Sequence, residues 1–177
     1  MSLLKSDRLY LRPMLPGDAP MIVRWRNSKH VASTSRESTK GNLSLKQHLE
    51  WFAKTRDDQI DYIIELNEES LPIGSLSFAW RVLPGFKLCA ELGKFIGEEK
   101  ALGKGFASEA TNLWLDHGFN ALKLDCVIAR TRKNNLSNIK VNQKMGFTVE
   151  PWPVQFGEAS DEWIFMRLTR AQWMGHK

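Results

Sequence analysis

A short basic loop with two glycines is the part of this sequence best suited to bind an anion. It spans Lys100 to Ala107 (KALGKGFA), between a predicted strand and a predicted helix. Gly103 and Gly105 allow the backbone to turn sharply and to approach a ligand closely. The first N–H groups of the helix have no partner within it, and with the helix dipole they attract a phosphate or pyrophosphate. The loop therefore predicts an anion site, although many junctions of this kind bind nothing.

Two common phosphate loops do not fit. A Walker A loop requires G-x-x-x-x-G-K-[ST], which does not occur, and a dinucleotide fingerprint requires G-x-G-x-x-G, where this chain has Ser108 in place of the third glycine. The loop is similar instead to the [RQ]-x-x-G-x-[GA] acetyl-CoA loop of the GNAT superfamily of N-acetyltransferases, with Lys100 in the Arg/Gln position. Residues 135–147 (NLSNIKVNQKMGF) resemble that superfamily's N-x-x-[SA]-x-x-[LV]-x-x-K-x-G-F segment, with Asn138 replacing Ser or Ala.

The resemblance implies that acetyl-CoA is the cosubstrate and that its pyrophosphate binds the glycine loop. It also implies that the helix after Asn135 lies near the adenosine end. The residues that we expect at the cofactor are Phe95, Ile96, Lys100, Leu102, Gly103, Lys104, Gly105, Phe106, Ala107, Asn135, Asn138 and Lys144.

Acetyl transfer to an amine needs a base for the amine proton and a proton for the leaving thiolate. Glu91, in the strand before the loop, is the expected base, and its alternative role is that of a strand carboxylate paired with a lysine such as Lys87. The superfamily's usual acid is a tyrosine at the position of Asn142. Asparagine cannot deliver a proton, but it can donate a hydrogen bond to sulfur or hold a water. The acid therefore stays unassigned.

The acceptor amine is indicated only by short strings. Leu9 to Pro13 (LYLRP) and His117 to Phe119 (HGF) resemble the ribosomal-protein N-terminal acetyltransferase branch. The strings WRN (25–27) and HLEWF (48–52) are similar to the branch that acetylates nucleotide-linked amino sugars. A polyamine or an antibiotic is a third option. The residues expected at the acceptor are Trp25, Arg26, Asn27, His48 and Trp80, although the aromatic residues among them also fit an ordinary core.

The positive charge of the chain is concentrated in one segment. The chain has a net charge of +5, and residues 100–144, with eight basic and three acidic residues, account for all of it. This excess suits an anionic ligand or a solvated face. A basic RNA-associated module is an alternative, but the segment lacks interleaved aromatic residues for base stacking, so we expect no specific nucleic-acid partner. A GNAT fold that binds CoA without catalysis is another alternative.

The remaining composition predicts a cytoplasmic enzyme without a metal. No apolar run is long enough to span a membrane, and no signal-peptide core is present. The four histidines are scattered without ligand spacing, which predicts no metal site. Cys89 and Cys126 fall in predicted strands and are expected to be reduced core residues rather than a disulfide. The oligomeric state stays open, with a homodimer as one option.

The order of predicted elements indicates an α/β (α+β) fold in one domain over residues 1–177. We expect a single twisted, mixed sheet of about seven strands flanked by about four helices. The predicted strands are 7–14, 62–66, 73–82, 88–96, 125–131, 147–150 and 162–168, and the predicted helices are 19–26, 44–54, 106–119 and 135–145. Residues 31–42 are expected to form a loop.

Overall fold

A computed structural model of the protein describes residues 4–34, 42–159 and 161–176. Its strands form one eight-stranded sheet with helices against both faces, which confirms the predicted mixed α/β class. The strands are β1 (Leu4–Lys5), β2 (Leu9–Pro13), β3 (Gln59–Leu66), β4 (Leu71–Leu83), β5 (Phe86–Ile96), β6 (Cys126–Arg132), β7 (Thr148–Glu150) and β8 (Trp163–Thr169).

Six α-helices lie within the described residues. They are α1 (Ala19–Asn27), α2 (Lys29–Ala32), α3 (Leu45–Lys54), α4 (Phe106–Asp116), α5 (Leu136–Lys144) and α6 (Arg170–His176). The predicted capping box at the start of α3 is confirmed: Ser44 Oγ accepts from the Gln47 amide at 3.2 Å, and the Ser44 amide donates to Gln47 Oε1 at 2.8 Å. These bonds satisfy amides that the first helical turn leaves unpaired, and so fix where α3 begins.

The sheet has the strand order β1-β2-β3-β4-β5-β6-β8-β7, and its pairs are antiparallel except for β5 with β6. That parallel pair is short, since it joins only Cys89–Glu91 to Cys126–Ile128. Beyond it, β5 continues along β4 and β6 continues along β8. The two strands therefore separate and leave a gap between residues 92–96 and residues 129–132, which we call the strand gap.

Two adjacent isoleucines on β3 show how the sheet is covered. Side chains alternate between the faces of a strand, so Ile63 and Ile64 point to opposite sides. Ile63 packs with residues of α1 and α3, including Trp25 and Phe52, whereas Ile64 belongs to the main core with Trp114 of α4. The helices before β3 therefore cover one face of the sheet, and α4 covers the other.

The expectation of two free cysteines is wrong in this structure, where Cys89 and Cys126 form a disulfide. They are direct partners in the parallel pairing of β5 and β6, with Cα atoms 4.9 Å apart, well within the range that a disulfide requires. Sequence alone does not reveal this pairing, because it depends on the register of two strands 37 residues apart. The argument for a reducing compartment loses this support.

Several boundaries also differ from the prediction. Of the predicted loop 31–42, residues 31–32 end α2, and residues 35–41 lie outside the described residues. The short elements β1, α2 and α6 were not expected, although Trp173 of α6 is only 1% exposed and anchors that helix in the core. No helix within 4–34, 42–159 and 161–176 is long and apolar enough to cross a membrane.

Candidate active site

Two cavities meet at the strand gap. The loop cavity, of about 440 Å³, lies between the glycine loop, the end of β5 and the start of α5. The arginine cavity, of about 500 Å³, lies on the side of α1 and α3, over β3 to β6. The described residues that line both cavities are Val31, Thr34, Leu76, Lys94, Phe95, Asn135 and Asn138. A ligand in one cavity can therefore reach a ligand in the other through the gap.

The glycine loop has the geometry of an anion cradle. Gly103 and Gly105 adopt φ values of +73° and +82°, which side chains other than glycine rarely tolerate. Nothing lies within 4 Å of a Cβ built on Gly103, so the backbone there is open to a ligand. Gly105 caps α4, whose first amides have no partner within the helix and face the loop. These features suit a diphosphate.

Most of the residues expected at the cofactor line the loop cavity. These are Phe95, Ile96, Leu102, Gly103, Gly105, Phe106, Ala107, Asn135 and Asn138. Lys100, Lys104 and Lys144 do not line it. Lys100 and Lys104 are exposed at the rim of the loop, and Lys144 is exposed in the last turn of α5. These three lysines can act on an anion only by long-range attraction in this conformation.

Sequence analysis did not predict that Arg8 contacts and supports the glycine loop. Arg8 Nη1 donates to the carbonyl of Lys104 at 3.1 Å, and the Arg8 guanidinium lies 4.6 Å from the centroid of the Phe106 ring. Glu109 of α4 accepts from Arg8 Nε at 2.7 Å and thereby holds it in place. The loop is thus fixed from the N-terminal part of the chain. No motif signals this contact, because the two ends are about a hundred residues apart.

Several charged side chains line the arginine cavity. Among the described residues that line it, five are basic and three are acidic: Arg26, Arg81, Lys94, Arg130 and Arg132 against Asp58, Asp61 and Glu91. We call the four arginines the cleft arginines. Their excess over carboxylates gives the cavity a positive potential, and its walls strengthen that potential by excluding water. The basic segment 100–144 supplies only Arg130 and Arg132, whereas Arg26 and Arg81 come from α1 and β4, so the sequence did not indicate this grouping.

Glu91 is held between two of the cleft arginines. Arg130 donates from Nε to Oε1 at 2.8 Å and from Nη2 to Oε2 at 2.6 Å, and Arg81 Nε donates to Oε2 at 2.8 Å. The partners are arginines on β4 and β6 rather than the lysine considered above. Both carboxylate oxygens of Glu91 are thus occupied by guanidinium donors. Its contacts favour a role in holding the arginines over a role as base.

Asp61 of β3 is a second carboxylate in the arginine cavity, and sequence reasoning missed it. Burial raises its pKa to about 6, against the lowering effects of a hydrogen bond from Gln59 and of the charges of Arg26 and Arg56. Gln59 Nε2 donates to Asp61 Oδ1 at 2.7 Å. A carboxyl group with a pKa near the working pH is well suited to accept a proton. Only its burial distinguishes it from other strand carboxylates, and burial is not visible in the sequence.

Asn142 does not line either cavity. It is 0% exposed, its Oδ1 accepts from Lys94 Nζ, and its Nδ2 lies 3.7 Å from Met166 Sδ. The expected direct contact of Asn142 with a leaving sulfur is therefore not available in this conformation. Lys94 stands between Asn142 and the cavities. Desolvation lowers the pKa of Lys94 to about 7.

The residues expected at the acceptor divide into two groups. Arg26 and His48 line the arginine cavity, and His48 stacks on Trp51 with ring centroids 5.3 Å apart. Trp25, Asn27 and Trp80 do not line it.

Each residue of the second group has a structural role. Trp25 is 2% exposed and its Nε1 donates to Glu98 Oε1 at 2.7 Å. Asn27 exchanges two 2.8 Å hydrogen bonds with the backbone of Leu43, and Trp80 packs against the main core. In the part of the chain that the structure describes, no group of three or more His, Cys, Asp or Glu side chains is arranged to hold a metal.

Solved structures share this fold. A spermidine N-acetyltransferase from Vibrio cholerae, in complex with CoA and spermine, matches with a TM-score of 0.77 and 19% identity over 96% of this chain and 99% of its own. FdhC, a nucleotide-linked sugar GNAT in its apo form, matches with a TM-score of 0.78 and 21% identity over 99% and 94%. At these identities the likeness concerns the fold alone.

The sequence comparisons extend the likeness to the family. An uncharacterised N-acetyltransferase, p20 of Bacillus licheniformis, is 26% identical over 179 aligned residues, which cover 96% of this chain and 98% of p20. The family model described as "Acetyltransferase (GNAT) domain" matches residues 8–148, a stretch that contains the glycine loop, the strand gap and most of both cavities. With the matching fold, this match shows that the chain belongs to the GNAT family of acetyltransferases.

Proposed function

We propose that this chain transfers the acetyl group of acetyl-CoA to the primary amine of a nucleotide-linked amino sugar, by direct attack in a ternary complex. The cleft arginines carry this proposal. A sugar nucleotide brings a diphosphate next to its sugar, and guanidinium groups bind phosphate oxygens through paired hydrogen bonds. An acceptor with this charge fits a cavity in which basic side chains exceed acidic ones.

The charge of the arginine cavity weighs against a polyamine. A polyamine carries several positive charges and needs carboxylates that are not already neutralised. Glu91, however, is engaged by Arg81 and Arg130. The fold neighbours include both a spermidine enzyme and a nucleotide-linked sugar enzyme, so the fold itself does not choose between these acceptors. The choice rests on the side chains that line the cavity.

We place acetyl-CoA in the loop cavity. Its pyrophosphate would bind the amides of Gly103 to Ala107, and the exposed Lys100 and Lys104 would add attraction from the rim. Its pantetheine arm would follow β5 past Phe95 into the strand gap, which brings the thioester to the junction of the two cavities. Asn135 and Asn138 line both cavities and would contact the arm from α5.

Two carboxylates are candidates for the base that takes the amine proton. The expected base, Glu91, lies in the arginine cavity, but both of its oxygens accept hydrogen bonds from arginine. Asp61 lies in the same cavity, and its pKa of about 6 leaves it largely ionised, yet ready to accept a proton, at neutral pH. We therefore assign proton removal to Asp61, and to Glu91 the positioning of Arg81 and Arg130.

A thiol-release screen with acetyl-CoA tests the proposal. The amine panel contains a nucleoside-diphosphate 4-amino sugar, the same amino sugar without its nucleotide, a peptide with a free α-amine, and spermidine. We expect turnover with the sugar nucleotide and a kcat/KM at least about 100-fold lower for the free sugar, because the free sugar lacks the diphosphate. Faster turnover of the peptide would make the chain a protein N-terminal acetyltransferase. CoA binding without turnover of any amine would indicate a non-catalytic module.

A further inference from the structure

Lys94 occupies the junction at which the two substrates must meet. Among the seven described residues that line both cavities, it alone carries an ionisable side chain. It lies on β5 in the stretch that borders the strand gap, three residues beyond the last residue paired with β6. Neither the catalytic nor the binding roles assigned above use it. A charged group in this position needs a chemical explanation, since desolvating a lysine costs free energy.

Lys94 approaches the gap from the face of the sheet opposite to the carboxylates. Alternation along β5 places Lys94 on the face of Leu92, and Glu91 on the other face. Asp61 pairs with Ser77 of β4, and Ser77 pairs with Gly93 of β5. Because Gly93 is two residues from Glu91 on β5, Asp61 lies on the same face of the sheet as Glu91. Lys94 Nζ instead donates to Asn142 Oδ1 on α5. Proton removal and proton delivery can therefore take place on opposite sides of the thioester.

We propose, building on the function proposed above, that Lys94 is the proton donor to the leaving thiolate of CoA and that Asn142 is the residue that positions it. When the tetrahedral intermediate collapses, the carbon–sulfur bond breaks and its electron pair goes to sulfur. The ammonium group of Lys94 gives one proton to that sulfur, an S–H bond forms, and the carbonyl group is restored as the amide. Lys94 is left as a neutral amine and regains a proton from solvent through the arginine cavity.

The acidity of Lys94 suits this step. Its pKa of about 7 makes its ammonium group a stronger acid than an ordinary thiol, whose pKa is about 8.5, so the transfer is downhill. An ordinary lysine, with a pKa of about 10.4, would be a poorer donor. Near neutral pH a substantial fraction of Lys94 is still protonated, which keeps the donor loaded.

Other charged or titratable groups of the described residues line the same two cavities. They are the four cleft arginines, the carboxylates Asp58, Asp61 and Glu91, and the imidazoles of His30 and His48. On α5 and β8, the partners next to Lys94 are the neutral Asn142 and, through it, Met166. Desolvation, rather than a charged neighbour, is the cause of the lowered pKa of Lys94.

The test compares Lys94→Met and Lys94→Arg with Lys87→Met, a control at an exposed lysine of the same strand that lines neither cavity. We expect kcat to fall about 100-fold in both Lys94 variants. The Kd of acetyl-CoA should change by no more than about tenfold, although Lys94 also lines the loop cavity. The unmodified protein should lose kcat above about pH 7, and this alkaline limb should disappear in both variants. A merely structural lysine would not set the pH profile.

Each other outcome has a defined meaning. Full activity of Lys94→Arg would show that positive charge suffices and would overturn proton donation. Normal kcat and an unchanged pH profile in Lys94→Met would overturn any role of Lys94, while the acetyl transfer itself would stand. Absence of turnover in the unmodified protein with every amine would instead overturn the proposed function, and this assignment with it. Should both variants fail to fold, an NMR titration of ¹⁵N-labelled lysine in the unmodified protein decides, and a Lys94 pKa above about 9 would overturn the proposal.

Discussion

Arg130 binds Glu91 through both carboxylate oxygens, with Nε 2.8 Å from Oε1 and Nη2 2.6 Å from Oε2. The pair joins β5 to β6 at the last level where these strands are hydrogen-bonded, immediately before the strand gap opens. Arg81 adds a contact from β4. The cluster therefore holds three strands at the mouth of the gap and orients two of the cleft arginines toward the arginine cavity.

A comparison of Glu91→Gln with Asp61→Asn separates the two candidate bases. Glu91→Gln leaves two guanidinium groups without their counter-charge, so we expect a loss of stability of about 3 kcal/mol and a kcat within about tenfold of normal. Asp61→Asn removes the proton acceptor, so we expect kcat near pH 7 to fall about 100-fold or more, and this deficit relative to the unmodified protein should shrink at high pH, where the amine loses its proton unaided. Steady-state kinetics from pH 6 to 10 and urea unfolding provide both readouts.

The opposite result in these two variants would support Glu91 as the base, as the sequence predicted. A folded Glu91→Gln variant that loses about 100-fold in kcat near pH 7, with a deficit relative to the unmodified protein that shrinks at high pH, beside an Asp61→Asn variant of normal activity, would make Glu91 the base. Acetyl-CoA affinity, measured by calorimetry, should change little in either variant, because neither residue lines the loop cavity.

Gly105→Val tests the cofactor site, with Gly85→Val as its matched control. Both glycines have φ near +80°, at +82° and +85°, so both substitutions impose a backbone strain of about 1–2 kcal/mol. Gly85 lies in the β4–β5 hairpin, lines neither cavity, and has nothing within 4 Å of a built Cβ. We expect Gly105→Val alone to abolish CoA binding in calorimetry. Equal CoA affinity in the two folded variants would contradict the assignment of the pyrophosphate to this loop.

The parts of the site that are continuous in sequence were predictable. The glycine loop and the start of α5 each lie within about a dozen residues, so the spacing of their residue types already specifies the local geometry. Nine of the twelve residues expected at the cofactor line the loop cavity. The three lysines that do not line it have the expected charge, but their side chains extend into solvent, which no spacing pattern reveals.

The parts that depend on burial and strand register were not predictable. Lys94 lies in a predicted strand and Asp61 immediately before one, and only the packed sheet lowers the pKa of Lys94 and raises that of Asp61. The partners of Glu91 come from β4 and β6, and the Cys89–Cys126 pair likewise depends on register. Trp25 is the converse case, since the motif left a ligand contact and a core role both open, and the structure places Trp25 in a buried cluster.

Arg132→Gln tests the charge of the acceptor. Arg132 lines the arginine cavity from β6, and its guanidinium lies over the Trp163 ring, 4.9 Å from the centroid. If it binds a phosphate of the acceptor, the substitution should raise the acceptor KM about 10-fold or more and weaken its dependence on salt, with the acetyl-CoA Kd unchanged. If the acceptor KM of Arg132→Gln equals that of the unmodified protein at every salt concentration from 50 to 500 mM, either the diphosphate of the acceptor binds elsewhere or the acceptor has none.

CoA and nucleic acid should differ in how they bind the basic segment 100–144. CoA should raise Tm by mass action, because it binds the folded state at the loop. RNA should bind weakly and only at low salt, because the exposed Lys100, Lys104 and Lys144 offer charge without stacking partners. Thermal shift assays with CoA and salt titrations with a single-stranded RNA provide the comparison. Tight RNA binding at physiological salt, with no rise in Tm when CoA is added, would make RNA rather than CoA the ligand of this segment.

Asp61 should make the free energy of unfolding depend on pH in a defined window. Its pKa is about 6 in the folded protein and about 3.9 in an unfolded chain, so between these values the folded state binds more protons. Its contribution to stability is therefore complete below about pH 4 and is lost as the pH rises to about 6. Asp61→Asn removes this loss, so the variant should gain stability relative to the unmodified protein between pH 4 and pH 7.

The expected gain from Asp61→Asn at pH 7 is about 1–2 kcal/mol. A pKa shift of about two units corresponds to about 3 kcal/mol, and solvent in the arginine cavity reduces this value. Urea unfolding at pH 4 and pH 7 measures the difference, with the exposed Asp57→Asn as a control for the chemical change itself. A buried catalytic carboxylate predicts both a gain in stability and a fall in kcat. Its ionised form lowers the stability of the fold, but the reaction needs that ionised form. A loss of stability at pH 7 would show instead that the Asp61 carboxylate supports the fold.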